Sequence, residues 1–315
     1  MSTHLTTETP ASTSMYPTPL VSVIIPAFNR GDLLREAIAS ALAQTYRPIE
    51  LLVIDDGSTE DIASIVAAYG PAVRYLRQAN AGPAAARNNG IRHSTGELIA
   101  LLDSDDRWLA EKLARQVPHF AADPDLGMVH SKVRFFRHGS EEILGTMFSG
   151  EHLDVHQVLA HNMIATQTTI FRRAVFDSVG GFDESLLGPE DFDFFVRVTA
   201  AFKTLGIPDV LAEARQHGNQ YSASLDRMFR CQMRVVAKHQ SLHKNCPDCR
   251  RALAELDRFY RQAYCRRVFD NAREAARDGH PLRALQLRLR GLRHNPGAVF
   301  DLPSRLARRM TAQHA

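Results

Sequence analysis

Along the first hundred residues, short apolar runs alternate with segments in which apolar residues recur every three or four positions. Val21-Ser22-Val23-Ile24-Ile25-Pro26 is a β-rich run stopped by proline, followed by a loop from Ala27 to Gly31. Leu34, Ile38, Ala41 and Leu42 then keep helical spacing from Asp32 to about Gln44. The pattern predicts a second strand over Ile49 to Ile54, a short helix over Asp61 to Ala68 and a third strand over Val73 to Arg77. Pro83 fits the first position of a further helix, and the alanines after it permit close packing. Glu97 to Leu102 is the fourth strand. Strands alternating with helices predict an α/β sheet whose ligands lie beyond the carboxyl ends of the strands.

The second half has a less even period. It predicts a helix over Leu109 to Phe120, a strand over Leu126 to Phe136, irregular chain over 139–150, a helix over Leu153 to His161 and a strand within Met163 to Phe171. A turn at Val179 to Glu184 leads to Gly188-Pro189-Glu190-Asp191, which opens a helix running from Phe192 to Phe202. From about Leu225 the chain reads as helical. One apolar stripe passes through Leu253, Leu256, Phe259, Tyr260, Ala263 and Tyr264, and another through Leu282, Leu285 and Leu289. Both are expected to be packing surface.

The polar residues that close the strands carry the candidate chemistry. Asp103, Asp105 and Asp106 crowd three carboxylates into four residues directly after an apolar run. Such crowding favours a cation, and hard oxygen ligands suit Mg²⁺ or Mn²⁺, which would in turn hold a diphosphate. A solvated turn, or a cap for the helix that follows, is the plainer alternative. Asp56, in Asp55-Asp56-Gly57-Ser58, reads either as turn chemistry or as an acceptor for a base N–H. Arg87 reads as a structural ion pair, a diphosphate contact or a brace for Asp56. At the start of the helix after Pro189, at least one of Glu190, Asp191 and Asp193 is expected to be a cap.

Charge adds a second division. Residues 1–225 hold 18 Lys and Arg against 27 Asp and Glu, a balance of −9, whereas 226–315 hold 20 against 8, a balance of +12. The break marks a candidate boundary near Asp226, and the basic part would face an anionic membrane surface, the acidic domain beside it or nucleic acid, or simply carry solvated arginines. The segment from Val299 to Met310 mixes Phe300, Leu302, Leu306 and Met310 with three arginines, a composition suited to lying on a membrane surface. No apolar run approaches the ~20 residues that span a bilayer. Residues 1–19 are rich in Ser, Thr and Pro without an apolar signal core, so a disordered lead and a cytoplasmic protein are expected. Cys246 and Cys249, with His243 just before them, have the spacing of half a zinc site, and no second pair completes it in the sequence.

Five segments in order, Val21 to Arg30, Asp55 to Thr59, Gly82 to Gly90, Leu102 to Asp106 and Gly188 to Asp193, resemble the inverting glycosyltransferases of family two. The resemblance covers about residues 20–225. It implies a GT-A fold, a Rossmann-like mixed sheet flanked by helices, with a donor-nucleotide half at 20–108 and an acceptor half at 109–225, and the basic helical region at 226–315 lies beyond it as a C-terminal appendage. It also implies a nucleotide-diphospho-sugar donor, a saccharide or lipid-linked acceptor and a Mn²⁺ or Mg²⁺ ion. By position, Pro26, Ala27 and Phe28 would line the base and ribose, Asp56 would accept from the base with Arg87 near it, and Asp103 with Ser104 would approach the ribose. Asp105, with Asp106 as a second candidate, would hold the metal. Asp191 would take the acceptor proton, with Glu190 and Asp193 as substitutes. The stretch from Val210 to Ser222 resembles the segment that closes over the diphosphate, where His217 would supply a metal ligand and Arg215 a phosphate contact.

The Gln-x-x-Arg-Trp signature of the family's processive polymerases is absent, which favours single additions. A nucleotidyltransferase would carry a Gly-rich, basic loop after the first strand, and Pro26-Ala27-Phe28-Asn29 is not one. A non-catalytic basic module for nucleic acid or membrane is the remaining alternative, with nucleic acid the weaker of the two.

Overall fold

The computed structural model describes residues 18–160, 164–218 and 224–294. The lead before Thr18, the residues from Asn219 to Ser222 and the segment from Val299 to Met310 lie outside the described residues.

Three largely apolar runs and the shorter Arg74-Tyr75-Leu76-Arg77 become the parallel half of the sheet. Strands β1 (Val21–Ala27), β2 (Ile49–Asp55), β3 (Arg74–Arg77) and β4 (Leu98–Leu101) lie side by side, with Val21 opposite both Ile49 and Leu98. Beyond β4 the directions mix. β8 (Ile170–Arg172) runs antiparallel to β4 and to β6 (Leu126–Arg137), and β9 (Lys203–Gln216) runs parallel to β6. The two-residue strand β5 (Arg107–Trp108) closes the sheet on β9, and β7 (Ile143–Met147) hangs from β6. The order is β3-β2-β1-β4-β8-β6-β9-β5.

Alternation along each strand fills two cores, one on each face. Val21, Val23 and Ile25 join Leu34 and Ile38 of α1 (Gly31–Leu42), Ile62 of α2 (Ile62–Ala67), Leu113 of α4 (Lys112–Gln116) and Phe120 of α5 (Pro118–Ala122). Ile24, Ile99 and Leu101 face the other way, toward α3 (Pro83–His93), α6 (Val155–Ala160), α7 (Arg173–Val179) and α8 (Glu190–Ala201). Each such buried aliphatic side chain contributes about 1.5–3 kcal/mol. Gly90 lets α3 approach closely, because a Cβ there would stand 2.6 Å from Ile24 Cγ2 and 2.9 Å from Ile54 Cγ1.

The second core continues past residue 226. Val235 and Val236 of α9 (Leu225–Leu242) and Cys249, Leu253, Leu256 and Tyr260 of α10 (Pro247–Arg277) belong to it, so these helices share the core of the sheet domain. The outer half of α10 packs against α11 (Pro281–His294). Among the described residues no helix is long and apolar enough to cross a membrane.

Several predicted elements come out differently. The helix expected over Leu109 to Phe120 starts later and is broken, because Pro118 has no N–H for the helical ladder. The strand expected from Met163 onward begins only at Ile170; Thr166–Thr168 form a 3-10 turn, in which Thr168 Oγ1 donates to Ala165 O at 2.6 Å and Thr169 Oγ1 to Thr166 O at 2.8 Å. Of the predicted packing stripes, Leu253, Leu256, Tyr260 and Tyr264 are buried, whereas Phe259, Leu282, Leu285 and Leu289 are exposed.

Candidate active site

The loop after β1 is held in a costly conformation. Asn29 and Arg30 take positive φ values of 57° and 63°, which side-chain-bearing residues avoid. The loop after β2 enforces it. Ser58 Oγ accepts from Asn29 N at 2.8 Å, Asn29 Oδ1 accepts from Thr59 N at 2.9 Å, and the Glu60 carboxylate accepts from Arg30 N at 3.0 Å and Gly31 N at 2.8 Å. The turn aims the Arg30 guanidinium at Asp105 Oδ2, 2.6 Å away. Phe28, just before it, leaves 47% of its surface exposed; Ala27 is buried and Pro26 half-buried.

Asp55 and Asp56 hold the neighbouring loops. Asp55 is buried under Tyr75 Oη, which donates to it at 2.6 Å. Asp56 accepts from Gln78 Nε2 and Ala81 N on one oxygen, at 2.8 and 2.9 Å, and from Gly82 N on the other at 2.8 Å. Gly82 is needed there, since φ is +90°. Three of about four carboxylate acceptor positions are thus used, which leaves one for a base N–H. Arg87 is not a brace for Asp56.

Arg87 instead joins two acidic segments. Its Nη2 donates to Asp103 Oδ1 at 2.7 Å and its Nη1 to Glu190 Oε1 at 2.6 Å, with the arginine itself buried. The two carboxylates hold the guanidinium firmly charged despite burial. The two halves of the chain, 20–108 and 109–225, meet at this side chain.

The turn after β4 separates its carboxylates. Asp105 Oδ2 receives both Arg30 and His217 Nε2, the latter at 3.0 Å. Asp106 turns inward, accepting from Arg215 N at 2.8 Å; burial, with Asp105 and Asp103 close by, pushes its pKa well up. Of the two candidate metal ligands in this turn, Asp106 is the more buried and Asp105 the more exposed. Ser104 is buried in the turn. Arg215 is likewise engaged elsewhere than at a phosphate: Nε donates to Asp105 O at 2.9 Å and Nη2 pairs with Glu36, so it braces the turn. The pairing of β5 with β9, Arg107 opposite Glu213 and Trp108 opposite Ala212, brings Arg215 and His217 here.

At the start of α8, Asp191 Oδ2 accepts from Thr166 Oγ1 at 2.8 Å and Oδ1 from Phe192 N at 2.7 Å. It remains partly exposed, yet desolvation by the surrounding protein raises its pKa, with Arg87 opposing. Glu190 is buried against Arg87, and burial pushes its pKa up to about 7. Asp193 points away. It lies 2.7 Å from Lys238, 3.1 Å from His239 and 2.9 Å from Arg197; burial works against its charge, but these close neighbours hold its pKa far below the ordinary value. Asp193 fastens α8 to α9 and is set aside as a base.

The residues fit a divalent ion of the kind that keeps few protein ligands. Mg²⁺ and Mn²⁺ accept oxygen and imidazole donors and take their remaining ligands from phosphates and water. Asp105 Oδ2 and His217 Nε2 stand 3.0 Å apart, about the separation of adjacent ligands around an octahedral ion bound at ~2.1 Å. Sequence reasoning missed Arg30, Thr166 and Glu36. Only Arg30 carried a signal, a cation in a polar loop directly after a buried strand.

A mixed sheet with acidic turns at the ends of its parallel strands defines the GT-A nucleotide-diphospho-sugar transferase fold. Solved structures agree: Staphylococcus aureus TarS 1–349 in complex with UDP-GlcNAc superposes with a TM-score of 0.58 at 17% identity, over 85% of this chain and 90% of that one. The mannosyltransferase PcManGT of Pyrobaculum calidifontis, in complex with GDP-Man and Mn²⁺, gives 0.56 at 18% identity over 90% of each chain. The chain belongs to glycosyl transferase family 2, whose family model matches residues 22–180. Proteins called uncharacterized glycosyltransferases in Rickettsia typhi and Rickettsia prowazekii are 32% identical over 208 residues, 64% of this chain and 65% of each relative. The match thus spans just under two thirds of those relatives.

Proposed function

We propose that the chain transfers a sugar from a nucleotide-diphospho-sugar, a UDP-sugar first of all, to a hydroxyl of a saccharide or lipid-linked acceptor, with inversion at the anomeric carbon. The observation that carries this reading is the Arg87 bridge, which puts the acidic turn after β4 and the carboxylates of α8 at one edge of the sheet. A divalent ion on Asp105 and His217 would stabilise the charge of the departing diphosphate.

The remaining work falls to side chains. The exposed face of Phe28 offers a surface for the nucleobase, and Asp56 keeps one acceptor position for it. Asp103, pinned by Arg87, faces the ribose side together with Ser104. Thr166 and the Phe192 N–H hold the Asp191 carboxylate in one orientation, and its raised pKa makes it a stronger base than an ordinary aspartate. Asp191 takes the acceptor proton as the hydroxyl attacks from the face opposite the diphosphate. One displacement inverts the centre, so no covalent nucleophile is required. The setting we infer is bacterial polysaccharide or glycoconjugate assembly in the cytoplasm, at the inner face of the membrane, a reading supported by family membership and by the basic 226–315 region.

A thermal-shift panel of nucleotide-sugars with Mn²⁺ tests the proposal. One donor should stabilise the protein in a Mn²⁺-dependent way, and Asp105→Asn should abolish that dependence. Unchanged donor affinity and Mn²⁺ dependence in Asp105→Asn would remove the metal assignment.

A further inference from the structure

The corner between α9 and α10 holds a cluster that sugar transfer does not use. Cys246 is the N-cap of α10, where its Sγ accepts from Cys249 N at 3.3 Å. His156, ninety positions earlier on α6, brings its Nε2 to 3.4 Å from the same sulfur. The ligand atoms of His156, Cys246 and Cys249 all lie within 4.8 Å of one another, the one such convergence of three His, Cys, Asp or Glu side chains among the described residues.

We propose that His156, Cys246 and Cys249 bind a structural zinc ion that ties α6 to the corner between α9 and α10. Two sulfurs and an imidazole are the donors zinc takes in closed tetrahedral sites, and two cysteines spaced C-x2-C are the usual half of one. The sequence lacks a second cysteine pair, and folding supplies a histidine in its place. Around such an ion the nitrogen and sulfur ligands stand about 3.5 Å apart, close to the 3.4 Å between His156 Nε2 and Cys246 Sγ.

The surroundings prepare these atoms for a metal. Asp154 Oδ1 lies 3.7 Å from His156 Nδ1, a charge contact beyond hydrogen-bond range on the nitrogen that does not face Cys246. Cys246 Sγ sits at the start of α10 and already accepts from Cys249 N, a position that favours a thiolate. Solvent is the source of a fourth ligand, since no other His, Cys, Asp or Glu among the described residues joins these three.

The consequence is mechanical. α6 leads through the chain to Thr166, which orients Asp191, while α9 holds α8 through the Lys238 and His239 contacts with Asp193. An ion at this corner fixes α6 relative to α9.

The test uses the full chain, purified under reducing conditions, loaded with excess zinc and desalted. Elemental analysis should find one zinc ion per chain, which Cys246→Ser and Cys249→Ser lose and Asp105→Asn retains. Cobalt(II) loaded in place of zinc should show thiolate charge-transfer absorption and the visible bands of a tetrahedral ion. A strong chelator should lower the Tm of the wild type and leave Cys246→Ser unchanged. Cys249 is buried, so if its variant fails to fold the cobalt spectrum of the wild type decides. A reduced wild-type chain that keeps no zinc and shows no thiolate–cobalt absorption would overturn the proposal. So would zinc retained by Cys246→Ser, or a Cys246–Cys249 disulfide as the sole product with no metal uptake after reduction.

Discussion

Two runs of four residues, Asp103 to Asp106 after β4 and Glu190 to Asp193 opening α8, each carry three carboxylates. Each shares them out in the same way. One is tied to Arg87, Asp103 in the first and Glu190 in the second; one has no bond to Arg87 and stays partly exposed, Asp105 and Asp191; one turns into the protein, Asp106 and Asp193. The inward pair then part company. Asp106 meets one backbone N–H and, besides Arg215, the charges of Asp103 and Asp105, so burial and its acidic neighbours push its pKa up. Asp193 meets Lys238, His239 and Arg197, so its charge is held instead. Spacing along the chain says that carboxylates are crowded, and the cations that folding brings to them decide which are ionised and free to act.

The contrast between runs would break first at Asp191. Asp191→Asn keeps size and most capping ability, so stability should hold while transfer falls ~10²–10⁴-fold with donor affinity near wild type. Turnover and donor titration on the same preparation check this, and a variant that keeps most of its turnover moves the base elsewhere. Next comes Asp193→Asn, which takes the buried carboxylate away from Lys238 and Arg197 and should cost about 3–5 kcal/mol in urea denaturation. A third measurement concerns Glu190, whose folded pKa of about 7 stands above the ordinary 4.5. The folded state therefore binds the extra proton, and stability present below pH 4.5 should fade as pH rises through about 7. Glu190→Gln should flatten that decline in Tm against pH; an identical slope in both proteins would refute it. The smallest effect is expected from Asp106→Asn, which can still accept from Arg215 N and should stay within about 1 kcal/mol of wild type. A larger loss there than at Asp193 would invert the comparison.

The inner strands of the parallel half, β1, β2 and β4, were legible because they are largely buried on both faces and read as near-continuous apolar runs that end near acids or proline, whereas the edge strand β3 is half-polar and partly exposed. The turn after β4 and the start of α8 were legible for the same reason, as charge abutting core. What the sequence hid depends on pairing at a distance. Arg107-Trp108 is a strand only because β9 lies beside it, and that pairing turns Arg215 from a phosphate contact into a brace. Thr166 was read inside a strand, whereas local threonine hydrogen bonds wind it into a turn that meets Asp191. The exposed Leu282, Leu285 and Leu289 show the converse, a helical stripe without a covering surface among the described residues.

Arg87 can also be regarded as a length standard. Its guanidinium is flat and does not stretch, and its two terminal nitrogens grip one oxygen of Asp103 and one of Glu190. The gap between the turn after β4 and the start of α8 is thereby gauged by the width of a single planar group. A lysine has one nitrogen on a supple stem and cannot gauge anything. Small drifts in core packing that accumulate across nine strands and several helices are thus cancelled at the one place where ångströms matter to a reaction.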